Sequence, residues 1–158
     1  MPPESEIAFV AIGSNLGDAR QNVLRAMEQL QSLSVAPLLK SSIIETVPVD
    51  CPPGSPRFVN TVVGLVPKPG ETPESLLARL QALEKEFGRQ PKKIHNEPRP
   101  LDLDLIAFGS EVRNTPQLTL PHPRAHLREF VLQPLSEIAP GLVLPGQTET
   151  VIQLLARL

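Results

Sequence analysis

Pro98-Arg99-Pro100-Leu101-Asp102-Leu103-Asp104-Leu105-Ile106-Ala107-Phe108-Gly109 reads as a buried β-strand that carries two carboxylates. Asp is depleted from strands, and an unpaired buried carboxylate is costly, so the pair needs a reason. Alternate side chains of a strand share a face, which points Asp102 and Asp104 the same way with Cα atoms roughly 6–7 Å apart. That geometry suits joint ligation of hard divalent cations, which would offset the like-charge repulsion. A D-x-D pair lining a solvated face is the plain alternative. Leu101, Leu103, Leu105 and Ala107 fill one face of the predicted strand, and Ile106 and Phe108 continue the other. The strand is then covered on both sides beyond the aspartates, which lie at its entrance where a cleft can reach them. Arg99 stands just upstream as a candidate phosphate clamp.

Upstream, Ile7–Ile12 is a compact apolar run read as a strand, followed by the turn Gly13-Ser14-Asn15-Leu16-Gly17. Asp18 and Gln21 have capping-box spacing, and a helix runs from there to about Leu33, with Val23, Met27 and Leu30 on one stripe and Leu24 beside it. Val35 to Val47 is strand-like, and the Pro- and Gly-dense stretch from Pro48 to Pro56 is a loop. Val59–Val66 is another strand. Thr72 caps a second helix with Pro73 at its first position, and this helix buries Leu76, Leu80, Leu83 and Phe87 before Gly88 stops it. Arg89 to Arg99 is a polar loop with Arg89, Lys92, Lys93, Arg99 and His95.

Downstream, Glu111-Val112 and Gln117–Leu120 suggest a short hairpin. Arg128 to Ala139 reads as a helix strained or started near Pro134. A last helix begins near Thr150, where Gln153 repeats the capping-box spacing, and its apolar face is Val151, Leu154, Leu155 and Leu158. The order β-α-β-β-α-β with a helical tail predicts an α+β, ferredoxin-like domain over residues 1–158, with a mainly antiparallel sheet and helices on one face.

The 158 residues suit one domain with a real core. A formal charge of −2 gives no basic field for nucleic acid. The single cysteine, Cys51, excludes an internal disulfide and fits a reducing compartment. The first residues are acidic and short of apolar side chains, unlike a signal peptide, and no apolar run reaches the ~20 residues that span a bilayer. These features predict a cytoplasmic location with no membrane partner; a monomer is expected, without a sequence feature that fixes the oligomeric state. There is no Trp or Tyr and only five Phe. Phe9, Phe87 and Phe108 fall at core positions, whereas Phe58 and Phe130 fall beside proline- and charge-rich segments.

No nucleotide signature is present. Gly13–Gly17 lacks the Gly-Lys-Ser/Thr ending of a phosphate loop and the dinucleotide glycine pattern, and reads as a tight strand-to-helix connection. Phosphates, if bound, must be held by side chains and metal. Arg89 and Arg99 bracket a loop and have the donor geometry for phosphate, although a basic cluster is more often simply solvated. His122 is fixed between prolines, in the setting of a structural as much as a catalytic histidine. No nucleophile–His arrangement and no zinc spacing stands out.

Ala11-Ile12-Gly13-Ser14-Asn15-Leu16-Gly17, Pro98-Arg99-x-Leu101-Asp102-Leu103-Asp104, Leu120-Pro121-His122-Pro123-Arg124, Arg128-Glu129-Phe130-Val131-Leu132-x-Pro134-Leu135 and Glu137-Ile138-Ala139-Pro140 together make the chain resemble the 6-hydroxymethyl-7,8-dihydropterin pyrophosphokinases of folate biosynthesis. The resemblance spans nearly the whole chain. It implies transfer of pyrophosphate from ATP, as co-substrate, to the hydroxymethyl group of the pterin, with release of AMP, and it implies two Mg²⁺ ions as cofactors. Asp102 and Asp104 match the metal ligands, and with Arg89 and Arg99 the catalytic set. Thr46, Pro48, Val49, Phe58, Asn60 and Phe130 match the pterin site, with the two Phe rings sandwiching the heterocycle. Gln81, Glu84, Arg99, Leu105, Thr119, His122 and Arg128 match the ATP site.

The chain also departs from the family's pattern. His95-Asn96-Glu97-Pro98-Arg99 stands where many members have Arg-Trp-Gly-Pro-Arg, so the Trp that folds over the ligands is missing. Pro91 replaces a common basic residue. Gln117 and Pro123 replace an Arg and a Tyr that assist with phosphate in some members. The loop from Pro48 to Phe58 is about one residue longer than in the shorter members. Two other classes stay open on the residues alone: a ferredoxin-like binding module without chemistry, and a metal-dependent phosphohydrolase.

Overall fold

The apolar run near the start becomes the central strand β1 (Ala8–Ser14) of the computed structural model, which describes residues 3–46, 54, 56–88 and 100–158. Its neighbours are β4 (Phe58–Leu65) on one side and β5 (Asp102–Phe108) on the other, both antiparallel to it. Two short strands, β2 (Leu39–Lys40) and β3 (Ile44–Thr46), both pair with the outer edge of β4. The sheet order is β2-β4-β1-β5, with β3 alongside β4. Counting β2 and β3 as one interrupted strand, this is the ferredoxin-like arrangement that the element order predicts.

The expected continuous strand over 35–47 is therefore broken, and the serines explain the break. Ser41 is buried, its Oγ accepts from the Val62 N–H at 2.9 Å and lies 2.9 Å from Thr61 Oγ1, and its own N–H donates to the Val62 carbonyl at 3.0 Å. Ser42 gives its N–H to the carboxylate of Glu137. Side-chain groups of this kind stand in for ladder bonds and interrupt a strand.

Helix α1 (Ala19–Gln31) starts where Asp18 accepts the Gln21 N–H, and it buries Val23, Ala26, Met27 and Leu30. Leu24, expected beside that stripe, is exposed. Helix α2 (Pro73–Glu86) starts with a capping box between Thr72 and Ser75 and buries Leu76, Leu80 and Leu83. Gly88 follows at φ 90°, a left-handed conformation that suits glycine at a helix end. Both helices pack on one face of the sheet over Val10, Ile12, Leu103 and Leu105.

Helices on one face only, the sequence-based expectation, is corrected here. Helix α3 (Glu129–Ile138) and helix α4 (Val151–Ala156) cover the opposite face, burying Phe9, Val62, Ile106, Leu132, Leu135 and Leu154. The cause lies in β1: Ala8–Ile12 is apolar at every position, so both of its faces need cover, as in strands buried on two sides. Each fully buried Leu or Phe in these layers contributes about 1.5–3 kcal/mol. Helix α3 begins at Glu129 and carries Pro134 inside it rather than starting there. Helix α4 has the predicted Thr150–Gln153 capping box but ends at Ala156, leaving Leu158 exposed.

A second correction concerns β5. Val10 faces Leu105 and Phe9 faces Ala107, so Ile106 is an extra, bulged residue. The bulge sends both Ile106 and Ala107 to the α3/α4 side and returns Phe108 to the α1/α2 side. Simple alternation placed Ala107 with the leucines and Phe108 with Ile106. Leu101, Leu103 and Leu105 keep the predicted face. The hairpin after β5 pairs β6 (Arg113–Asn114) with β7 (Thr119–Leu120), displaced slightly from the expected Glu111-Val112.

Candidate active site

Gly13, near the C-terminal end of β1, is in register with Asn60 of β4 on one side and Asp102 of β5 on the other. Two positions back, Ala11 is in register with Val62 and Asp104. Residues directly opposite in an antiparallel ladder share a face. Ala11 and Val62 pack with the α3/α4 layer, so Asp102, Asp104 and Asn60 all present to that side. Both aspartates are half-buried. The two β1 residues between them and β4 are Gly and Ala, and the Asn60 amide oxygen leans over Gly13. The strand character and common face of the two carboxylates agree with the sequence reading.

On β4 and β3 a second group assembles. Asn60 is buried and its Nδ2 donates to Thr46 Oγ1 at 2.8 Å. Thr46 is in register with Phe58, which is half-buried. Phe130, also half-buried, sits on the first turn of α3 and packs at the margin of the α3/α4 core. The Arg128 guanidinium carbon lies 5.3 Å from the centre of the Phe130 ring, a cation–π distance. The structure thus brings Thr46, Phe58 and Asn60 together on the sheet, with Phe130 and Arg128 at the start of the covering helix.

His122 follows β7. Its N–H donates to the Ile106 carbonyl at 2.9 Å, and its Nδ1 accepts from the Arg124 N–H at 3.1 Å. With Nδ1 acting as acceptor, the neutral ring carries its proton on Nε2. Burial and then the Arg128 guanidinium push the imidazole down to about 4, Arg124 adds to this, and the Asp102 carboxylate opposes it. Asp102, His122 and Arg128 thus share one electrostatic neighbourhood.

Glu84 of α2 accepts the Leu103 N–H at 2.8 Å, on the edge of β5 that faces away from β1. Leu105, two residues on, is buried in the core, so only its backbone is available to a ligand at that edge. Gln81 and Thr119 are exposed. Arg89, Arg99, Pro48 and Val49 lie outside the described residues, as do Cys51, Pro91 and His95-Asn96.

Sequence reasoning missed Asn22. Its Nδ2 reaches the Leu16 and Pro100 carbonyls at 3.2 Å each and Ser14 Oγ at 3.5 Å, tying the residues before Asp102 to the β1–α1 turn. A contact of that sequence separation leaves no local signal. Among the described residues there is no cluster of three or more His, Cys, Asp or Glu.

A family model described as 7,8-dihydro-6-hydroxymethylpterin-pyrophosphokinase matches residues 9–140. The 2-amino-4-hydroxy-6-hydroxymethyldihydropteridine pyrophosphokinase of Pseudomonas aeruginosa is 38% identical over 137 residues, covering 87% of this chain and 83% of that protein. The protein of the same name from Haemophilus influenzae is 38% identical over 140 residues, covering 88% and 85%. The folic acid synthesis protein fol1 of Pneumocystis carinii is 37% identical over 142 residues, which is 90% of this chain but 19% of that longer protein. A crystal structure described as HPPK-DHPS in complex with substrates superposes with a TM-score of 0.69 at 14% identity, covering 96% of this chain and 43% of that one. This last likeness supports the fold.

Proposed function

Because the chain belongs to the 7,8-dihydro-6-hydroxymethylpterin-pyrophosphokinase family, we propose that pyrophosphate passes from ATP to the pterin hydroxymethyl group across the face that carries Asn60, Gly13 and Asp102. The products are the pterin diphosphate and AMP. The observation that carries this reading is the register itself. An amide able to recognise a heterocycle edge and a carboxylate able to hold a cation stand on the two strands that flank β1, either side of a residue with no side chain.

On the pterin side, Asn60 has one N–H engaged by Thr46, which orients the amide; the other N–H and Oδ1 are a donor–acceptor pair for an aminopyrimidinone. Phe58 and Phe130 are the two rings for stacking, an arrangement favourable for a flat heterocycle. Pro48 and Val49 complete this site in the family's pattern.

On the nucleotide side, Asp102 and Asp104 are the residues that would hold Mg²⁺, two ions by the family's pattern. Their donor set fits: two hard carboxylate oxygens on one face suit an ion that keeps waters and phosphate oxygens as its other ligands. When bound, such ions neutralise polyphosphate charge, polarise the transferred phosphorus and make the attacking hydroxyl more acidic. His122 offers a single neutral donor, Nε2–H, and Arg128 a permanent charge to phosphate oxygens. Glu84, Gln81, the Leu105 backbone and Thr119 form the nucleotide's remaining contacts, and Arg89 and Arg99 its clamps. The chain's contribution to rate is then positioning and preorganised charge rather than a general base.

The reading extends to a single-domain monomer in the cytoplasm. The single cysteine, which fits a reducing compartment, supports the location.

The test is product analysis with ATP, Mg²⁺ and the hydroxymethyl dihydropterin. AMP and pterin diphosphate formed in equal amounts support the proposal. ADP or phosphate released without the pterin would indicate a phosphohydrolase, and no turnover with pterin binding intact would indicate a binding module.

A further inference from the structure

We infer that Glu137 is a positioning residue for the pterin half of the site, an inference that rests on the pterin-site reading above. Glu137 lies two turns beyond Phe130 on α3 and on the same face of the helix. Its carboxylate grips the break between β2 and β3 with both oxygens. Oε1 accepts the Ser42 N–H at 2.9 Å, and Oε2 accepts the Ser42 hydroxyl at 2.7 Å. The adjacent Ser41 is bonded to Thr61 and Val62 of β4, and the strand that resumes after it, β3, carries Thr46. One carboxylate therefore joins the helix that bears Phe130 to the strands that bear Thr46, Phe58 and Asn60.

The helix needs such an anchor at this point. Pro134 lies between Phe130 and Glu137 and has no N–H to give to the Phe130 carbonyl four residues back, so the intervening turn lacks one of its own bonds. The spacing of the two aromatic walls is then set from outside the helix, by the packing of Val131, Leu132 and Leu135 on the sheet together with the grip on Ser42. Asp102 and Asp104 stand on β5, on the far side of β1 from β3 and β4. Glu137 thus acts first on pterin affinity; of the nucleotide half only Arg128, stacked on Phe130 at the start of α3, belongs to the same helix.

Steady-state kinetics with Glu137→Ala, Glu137→Gln and Ser42→Ala test this. Glu137→Ala is expected to raise the KM for the pterin about five- to tenfold, as loss of hydrogen bonds to a charged, partly solvated group allows. The KM for ATP and kcat stay within about twofold. Glu137→Gln, which keeps an acceptor oxygen, recovers part of the loss. Ser42→Ala, which keeps the backbone N–H, falls between them. A merely structural role would lower Tm in all three variants with the pterin KM unmoved, and that result overturns the inference. So would equal rises in both KM values. Phe130→Ala, run alongside, separates the two levels. If it raises the pterin KM and Glu137→Ala does not, the positioning role falls alone; if Phe130→Ala is also silent, the pterin site falls and this inference with it.

Discussion

Gly13 faces Asn60 across the β1–β4 ladder, and the room that a side chain at Gly13 would need is taken by the Asn60 amide oxygen. A methyl group there would lie 3.1 Å from Asn60 Oδ1 and 3.7 Å from Phe58 Cδ1. Asn60 cannot yield freely, because its Nδ2 is held by Thr46 Oγ1. The small residue is thus required by the amide beside it. Gly13→Ala is expected to weaken pterin binding roughly tenfold, within the ~1–3 kcal/mol that overpacking a fitted site costs, with ATP binding nearly unchanged. Calorimetric titration of each ligand checks this, and an unaltered pterin affinity would contradict it.

Asp102→Asn and Asp104→Asn each keep the shape of the side chain and remove its charge. A neutral amide ligates Mg²⁺ far less well than a carboxylate, so turnover should fall at least about a hundredfold. The fold should survive, since both residues are half-buried at the margin of the packed layers. Circular dichroism and Mg²⁺-dependent AMP formation measure the two halves of the claim. Rates near normal in both variants would remove the assignment of Asp102 and Asp104 as metal ligands.

Phe130 and Phe58 together account for two of the chain's five aromatic rings. Phe130→Ala should weaken the pterin by about 1–2 kcal/mol, the contact area and ring stacking lost, and weaken ATP by much less. Competition binding with each ligand separates the effects. Equal losses for both would count against a sandwich.

What could be read from the chain, and what could not, divides along a physical line. Local chemistry was legible: Thr72 with Pro73 fixes the start of α2, Asp18 the start of α1, and the D-x-D run the character of β5. Element order then implied the sheet order. The bulge at Ile106 was not legible, because register belongs to the pairing of β1 with β5 and not to either strand alone. The break at Ser41 and Ser42 was hidden for the same reason, since the groups that replace the ladder come from β4 and α3. The covering of the second face was foreshadowed by β1, apolar at every position, but the predicted fold assigned its helices to one side. For the candidate site, the common face of Asp102 and Asp104 followed from the D-x-D spacing. The Asn60–Thr46 bond, the Glu84–Leu103 bond and the grip of Glu137 on Ser42 depend on side chains far apart in sequence.

His122 offers a pH test that is independent of turnover. Burial, with Arg128 and Arg124, holds its imidazole at about 4 against the opposing pull of Asp102, whereas in the unfolded chain it titrates near the ordinary 6.5. Between these values the unfolded chain binds a proton that the folded chain refuses. The stability associated with the neutral ring is therefore complete above about pH 6.5 and is lost as pH falls toward 4. Denaturant unfolding at pH 7.5 and pH 5 should show a larger drop for the native chain than for His122→Gln, which cannot titrate. An NMR titration of the ring gives the value directly, with Nε2 protonated and Nδ1 bare at neutral pH. Binding of a polyphosphate at this place would add negative charge beside the ring, favour the imidazolium and raise its midpoint. An imidazole that titrates near 6.5 in the free protein, or one that ATP leaves unmoved, would separate His122 from both the buried setting and the nucleotide's phosphates.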